Sequence, residues 1–244
     1  MILELSGEFP QNKKILKIEK KEHMEHRVEL KKIEHINHNV VQLVTDKPEN
    51  YNFKPGQATE LSIDKDNWKD KKRPFTFTSL PEDDELEFTI KIYPSHDGVT
   101  EQIEKLKVGD HLLLGDAWGA IQYKGEGSFI AGGAGVTPFI AILKDLNRKG
   151  ELAGNKMFFG NNKEKDIILK NNLEEWLGGE LNLILSEEDT EAYDHGHIDK
   201  DYLEKNGLEK TRPVYLCGPP PMMDAVKADL FEIGVSKSNL ITED

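Results

Sequence analysis

The feature that most constrains this chain is a change of pattern at Gly125-Glu126-Gly127. Before it lie short alternating runs: RVELKKI, VVQLV, ATELSI after the Pro55-Gly56 turn, FTFTS after Arg73, ELEFTIKIY and HLLLG. Alternation at period two buries one face of each run. One helix stands among them, VTEQIEKLKVG, with Gly109 as its stop. Many short strands with a single helix predict an antiparallel barrel. After the change, strand and helix alternate: SFIAGG, TPFIAILKDLNRKG, KMFFG, IILKNNLEEWLGG, LNLILS, DKDYLEKNG, VYLCG, PPMMDAVKADLFEIG and a closing SNLI. That order predicts a parallel sheet covered on both faces by helices. The expectation is a two-domain chain, an antiparallel β-barrel over 24–124 and an α/β parallel-sheet domain over 125–244. Residues 1–23, Lys-rich with Gly7 and Pro10, read as an N-terminal extension. A short docked helix through Ile15, Leu16 and Ile18 is the alternative.

Charge narrows the function classes. The 244 residues carry 32 Lys and Arg against 45 Asp and Glu, a net charge of −13 that repels phosphate backbones and anionic lipid. No nucleic-acid or membrane role is expected. The sole cysteine, Cys217, cannot close a disulfide within the chain or supply the four thiolates of an iron–sulfur cluster. No apolar run approaches the roughly 20 residues of a membrane span, and the N-terminus lacks a signal-peptide core. A cytoplasmic, monomeric protein without a metal is expected. His195 and His197 flank Gly196 in an acidic loop, where a solvated turn is preferred over a metal pair. His23, His26, His35 and His38 show no ligand spacing.

Two glycine turns have the form strand, turn, helix. In FIAGGAGVTPF, Gly132, Gly133 and Gly135 precede Thr137 and Pro138. Glycines admit positive φ and close backbone approach, and the amides of the next helix make a pyrophosphate site. The spacing is G-x-G-x-x-P, not the G-x-G-x-x-G of an ordinary dinucleotide fold. In VYLCGPPPMM the strand ends at Cys217, at the carboxyl edge where parallel sheets bind ligands. A buried core thiol is the competing reading of Cys217. In RPFTFTS, Arg73 is one of four arginines; it suits a phosphate, Phe75 a flat ring and Thr76 a hydrogen bond. An exposed edge strand is the alternative.

The order of FKPGQATELSI, RPFTFTS, DGVTEQI, LGDAWGAI, FIAGGAGVTPF and VYLCGPPPMM resembles the ferredoxin–NADP⁺ reductase superfamily, from about residue 24 to the C-terminus. The resemblance implies an FAD-binding barrel followed by an NAD(P)-binding domain. It assigns Arg73 to a flavin phosphate, and Pro74 and Phe75 to the isoalloxazine, with Phe75 where the family usually has tyrosine. Thr76 falls near flavin N5, and Ile92 among the flavin contacts. Gly98, Val99 and Thr100 hold the flavin pyrophosphate. Gly133, Ala134, Gly135, Val136 and Thr137 hold that of the nicotinamide nucleotide. Cys217, Gly218 and Pro219 stand beside the nicotinamide, and Glu243 is the family's late acidic residue. Thr76, Cys217 and Glu243 are thus the catalytic candidates.

The implied activity is hydride transfer from NADH or NADPH to FAD, then electron delivery to a separate ferredoxin, flavodoxin or oxygenase component. Reduction of free flavin or a small quinone is the runner-up. A non-catalytic nucleotide-binding subunit is the alternative of another class, and retention of Arg73, Thr76 and Cys217 together argues against it. Two departures stand out. The chain ends Thr242-Glu243-Asp244, without the aromatic residue that covers the flavin in many members. Glu187, Glu188, Asp189, Glu191 and Asp194 follow LILS, where NADP-using members tend to carry cations, so NADH is favoured, with Lys163 and Lys165 as possible offsets. Lys65, Lys69, Lys71 and Lys72 beside Arg73 form either a docking patch or a solvated loop. Trp118 is expected to pack in the core or at a rim.

Overall fold

The computed structural model describes residues 25–94 and 97–243; the expected extension over 1–23 lies outside the described residues. The first sheet comprises β1 (His26–Asn37), β2 (Val40–Asp46), β3 (Ala58–Ile63), β4 (Arg73–Thr76), β5 (Glu85–Lys91) and β6 (His111–Trp118). Its order is β4-β3-β6-β1-β2-β5, with every pair antiparallel. Just past β4, Phe77 bridges Phe88 of β5, and the Thr78 N–H donates to the Glu87 carbonyl at 2.8 Å. The outer strands therefore meet and the sheet closes into a barrel, which removes its free edges. Val28, Leu30, Val41, Leu43, Leu61 and Phe88 fill the interior.

Helix α1 (Val99–Glu104) is shorter than the run VTEQIEKLKVG predicts. Past it, Gly109 N–H donates to the Leu30 carbonyl at 2.9 Å and Leu30 N–H to the Asp110 carbonyl at 2.8 Å. The chain is drawn into a ladder beside β1, which ends the helix early.

The second sheet is built from β7 (Ser128–Gly132), β8 (Lys156–Asn161), β9 (Leu181–Leu185), β10 (Asp194–His195), β11 (Val214–Cys217) and β12 (Leu240–Thr242). All pairs are parallel, in the order β10-β9-β8-β7-β11-β12. Every residue of β7 is buried, as a strand covered on both faces must be. Helices α2 (Thr137–Lys149) and α3 (Lys170–Leu177) pack one face with Phe129 and Phe159. Helices α4 (Lys200–Lys205) and α5 (Pro220–Ile233) cover the other with Ile130, Phe158 and Leu216. Two details differ from the sequence expectation. Helix α3 begins only at Lys170, because Leu169 adopts a left-handed φ of 51°. The edge strand β10, two residues long inside a polar loop, leaves no periodic signal to read.

The two sheets share a core. Val40 and Ile121 of the barrel side belong to the same buried cluster as α2. The Tyr215 hydroxyl accepts from Lys124 N–H and donates to the Gly125 carbonyl, both at 2.8 Å, and so fastens the connecting segment to β11.

Candidate active site

Strands β8 and β9 are laid down on one side of β7, whereas β11 and β12 lie on the other. The order reverses between β7 and β11, and a crevice opens at such a point at the carboxyl ends of the strands. Here two clefts occupy it. One, of about 450 Å³, is walled by Pro74, Phe75 and Thr76 from the barrel and by Thr137, Cys217 and Glu243 from the second domain. The other, of about 560 Å³, runs along the carboxyl ends of β8 and β9 past Asn161, Asn162, Ser186 and His197. Lys91, Tyr93, Gly132, Ala134 and Pro219 wall both, so the clefts form one continuous trough.

Backbone packing draws the two glycine turns together. A Cβ on Gly135 would stand 2.3 Å from the Cys217 carbonyl oxygen and 2.7 Å from Gly218 Cα. Only hydrogen fits there. Gly133 turns the chain at φ +50°, and a Cβ on it would lie 3.9 Å from Lys91 Nζ. A barrel cation thus faces the amides that lead into α2, and this donor set fits a phosphate.

Thr76 lies opposite Ala58, and its Oγ1 is 3.4 Å from Thr137 Oγ1. Thr137 is the donor in that contact, with the Ala134 carbonyl at 3.0 Å as its other acceptor, so Thr76 accepts from it and keeps its own proton available for a ligand. Phe75 packs on the barrel core while walling the first cleft, and offers a flat apolar face. Cys217 ends β11 opposite Ala131. Burial, aided by the charge of Glu243, pushes its thiol up to about 12. Burial also raises the Glu243 carboxyl, and its Oε1 has no hydrogen-bond partner among the described residues. An orphaned carboxyl oxygen at a cleft wall fits a site built for a polar ring.

Of the residues named from sequence, Pro74, Phe75, Thr76, Thr100, Gly135, Thr137, Cys217, Gly218, Pro219 and Glu243 meet in the first cleft, and Gly133 in the second. Ile92, Val99 and Val136 bury their side chains in the cores, so only their backbones are left to bind. Arg73 is exposed, donates to the Lys72 carbonyl at 2.8 Å and stands outside both cleft walls, and Gly98 is likewise absent from them. Lys91, Tyr93, Asn161 and Asn162 escaped the sequence reading, and His197, read there as part of a solvated turn, walls the second cleft. The signal for Lys91 and Tyr93 was their alternation with buried Ile90 and Ile92, which turns both outward. Trp118, 45% exposed, stands at a rim, paired with the cleft residue Ala58.

The acidic segment sits at the far end of the trough. Asn162 Nδ2 donates to Glu187 at 2.8 Å, Glu164 N–H donates to Glu188 at 2.8 Å, and Lys163 Nζ is 4.0 Å from Glu187. Near Arg73, the lysines are already engaged. Lys65 pairs with Asp110, Lys69 with Asp64 and Lys72 with Glu25, while Lys71 covers the Trp68 ring. No group of three His, Cys, Asp or Glu able to hold a metal occurs among the described residues. No helix among them is long and apolar enough to cross a membrane.

Residues 25–114 match the family model of an FAD-binding domain, and residues 129–228 that of an oxidoreductase NAD-binding domain. The chain is 28% identical over 207 residues to the anthranilate 1,2-dioxygenase electron transfer component of Acinetobacter baylyi, covering 78% of this chain and 57% of that protein. It is 29% identical over 210 residues to the propane 2-monooxygenase reductase component of Mycolicibacterium goodii, covering 79% and 59%. The chain thus spans less than two thirds of these relatives. Its fold matches that of a ferredoxin NADP⁺ reductase from Neisseria gonorrhoeae with bound FAD and NADP, at a TM-score of 0.78 and 17% identity over 90% of this chain and 98% of that one. Closed barrel, parallel sheet and the two family models in this order make the chain a member of the ferredoxin–NADP⁺ reductase superfamily.

Proposed function

We propose that the protein is an FAD-dependent NADH oxidoreductase that delivers electrons to a separate acceptor, an oxygenase component. The continuity of the trough carries this reading. Five residues wall both clefts, so a nucleotide lying along β8 and β9 reaches Cys217 and Thr76. When bound, FAD supplies the capacity to take up a hydride and release its electrons singly.

The chain's own residues bind and orient. Phe75 and Pro74 back the ring, and Thr76 donates to it. Arg73 leaves the Lys72 carbonyl for a flavin phosphate, while the Gly98, Val99 and Thr100 backbone takes the pyrophosphate. Ile92 packs beneath. Lys91 and the amides of Gly133, Gly135, Val136 and Thr137 hold the nicotinamide nucleotide's phosphates. Gly218 and Pro219 shape the seat where Cys217, held as a neutral thiol, presents an uncharged contact. Glu243 walls the same seat with a carboxyl that burial raises above its ordinary range. The domain limits follow as 24–124 and 125–244.

Glu187, pinned by Asn162 at 2.8 Å, favours NADH. A ribose hydroxyl can bond to it, whereas a 2′-phosphate is repelled. The names of the two relatives support an oxygenase component as acceptor, and a cytoplasmic monomer completes the reading. The test is flavin loading followed by turnover with a panel of carriers and oxygenase components. Retention of added FAD with NADH-driven reduction of a carrier supports the proposal; a protein that takes up no FAD refutes it.

A further inference from the structure

Helix α2 runs from the trough along the outside of the barrel, and three of its polar side chains hydrogen-bond to it. Thr137, Lys144 and Arg148, spaced seven and four residues apart, share one helix face. Thr137 meets Thr76 at the cleft, as described. Arg148, half exposed, donates to Glu82 at 2.7 Å and Asp83 at 3.1 Å. Lys144 differs from both. Its Nζ donates to the Thr78 carbonyl at 2.7 Å and to Glu87 Oε1 at 2.6 Å, with side-chain exposures of only 27% for Lys144 and 20% for Glu87.

From that pair a relay continues inward. Thr78 Oγ1 donates to Glu87 Oε1 at 2.8 Å and lies 3.2 Å from Thr89 Oγ1. Thr78 is 0% exposed and Thr89 4%, yet Thr89 belongs to the wall of the flavin-side cleft. Proton counting then fixes each hydroxyl. Thr78 has one proton and gives it to the carboxylate, so Thr89 must donate to Thr78. With its proton spent, Thr89 Oγ1 is left solely as an acceptor toward a bound ligand.

We propose that Lys144 is a positioning residue for the flavin-side cleft: acting through Glu87 and Thr78, it holds the Thr89 hydroxyl as an acceptor and neutralises the carboxylate behind the bound ring. The inference rests on the reading of that cleft as the FAD site. Without the cation, Glu87 is a bare negative charge in a half-buried position, where charge interacts strongly. It then disfavours the electron-richer, reduced ring. Without the carboxylate, Lys144 is the bare charge, and the effect reverses.

The experiment measures the midpoint potential of the FAD-loaded protein and its variants. Lys144→Met is expected to lower the potential and Glu87→Gln to raise it. The double variant is expected to return close to the wild type, because neither charge remains. Lys144→Arg keeps the charge and is expected to hold the wild-type potential, which separates loss of the cation from loss of fold. Equal potentials throughout, shifts of the same sign in the two single variants, or a Lys144→Arg shift matching Lys144→Met would each overturn the role of Lys144. These outcomes are distinct from failure of the underlying reading, in which the wild-type protein itself binds no FAD.

Discussion

Replacing Gly135 by alanine probes the contact that sets the two strand ends side by side. The added Cβ would stand 2.3 Å from the Cys217 carbonyl oxygen, 2.5 Å from its carbon and 2.7 Å from Gly218 Cα. Relaxed contacts between such atoms are about 3.5–4.0 Å, so one turn must retreat by roughly 1 Å. Every colliding atom is backbone, and no side chain can swing aside. Overpacking costs about 1–3 kcal/mol, and the rigid neighbours put this site at the upper end. At ~2–4 °C per kcal/mol for a chain of this size, the melting temperature falls by about 6–12 °C. Gly133→Ala meets no backbone but must hold φ +50°, a strain of ~1–2 kcal/mol. Gly179, with nothing within 4 Å and no positive φ, serves as control. Thermal denaturation of the three variants by circular dichroism should rank Gly135→Ala lowest, then Gly133→Ala, with Gly179→Ala like the wild type. A Gly135→Ala protein melting within about 2 °C of the wild type would refute the packing argument.

Other consequences concern the site chemistry. With its thiol raised from 9.0 to about 12, Cys217 carries about a thousandfold less thiolate than an ordinary cysteine, and should react correspondingly slowly with a disulfide reagent at neutral pH; reaction at the free-cysteine rate would contradict its burial. Glu243, whose folded carboxyl lies above the ordinary 4.5, binds its proton more tightly folded than unfolded, so it erodes stability as pH rises through the raised value. Glu243→Gln should therefore melt higher than the wild type at neutral pH, with the gain shrinking near pH ~4; a gain that grows on acidification would reverse the sign. Glu187→Gln should narrow the preference for NADH over NADPH by about fivefold in kcat/KM, as befits ~1 kcal/mol from an exposed charge. Arg73→Ala should weaken FAD binding roughly ten- to hundredfold by titration, the ~1.5–3 kcal/mol of a charged hydrogen bond, and unchanged affinity would free Arg73 of its role.

Much of this was legible in the chain because it depends on local pattern. The shift at Gly125 separates barrel from parallel sheet, and the glycine and proline turns mark strand ends that the fold brings into one crevice. The barrel was legible as a class, but which segments close it was not, since the Phe77 to Phe88 bridge joins segments whose pairing no local rule specifies. Arg73 keeps the exposed edge-strand position that its residues also allowed, and what the sequence did not show is that its partner is the carbonyl of its own neighbour. Val136 and Ile92 lie within motifs that line the trough, yet their side chains turn to the cores, because neighbouring residues of an extended or turning chain face opposite ways. Lys144 reads as one more lysine on an amphipathic helix. Its contact with Glu87 emerges only once α2 lies against the barrel.

The central claim is that reducing equivalents cross from the nucleotide cleft to the flavin cleft within this chain. Anaerobic titration of the FAD-loaded protein with NADH, followed by the flavin's visible absorbance, tests it most directly. Bleaching complete at about one NADH per flavin, since a hydride carries two electrons, is the predicted result. Flavin that stays yellow with excess NADH would contradict the account.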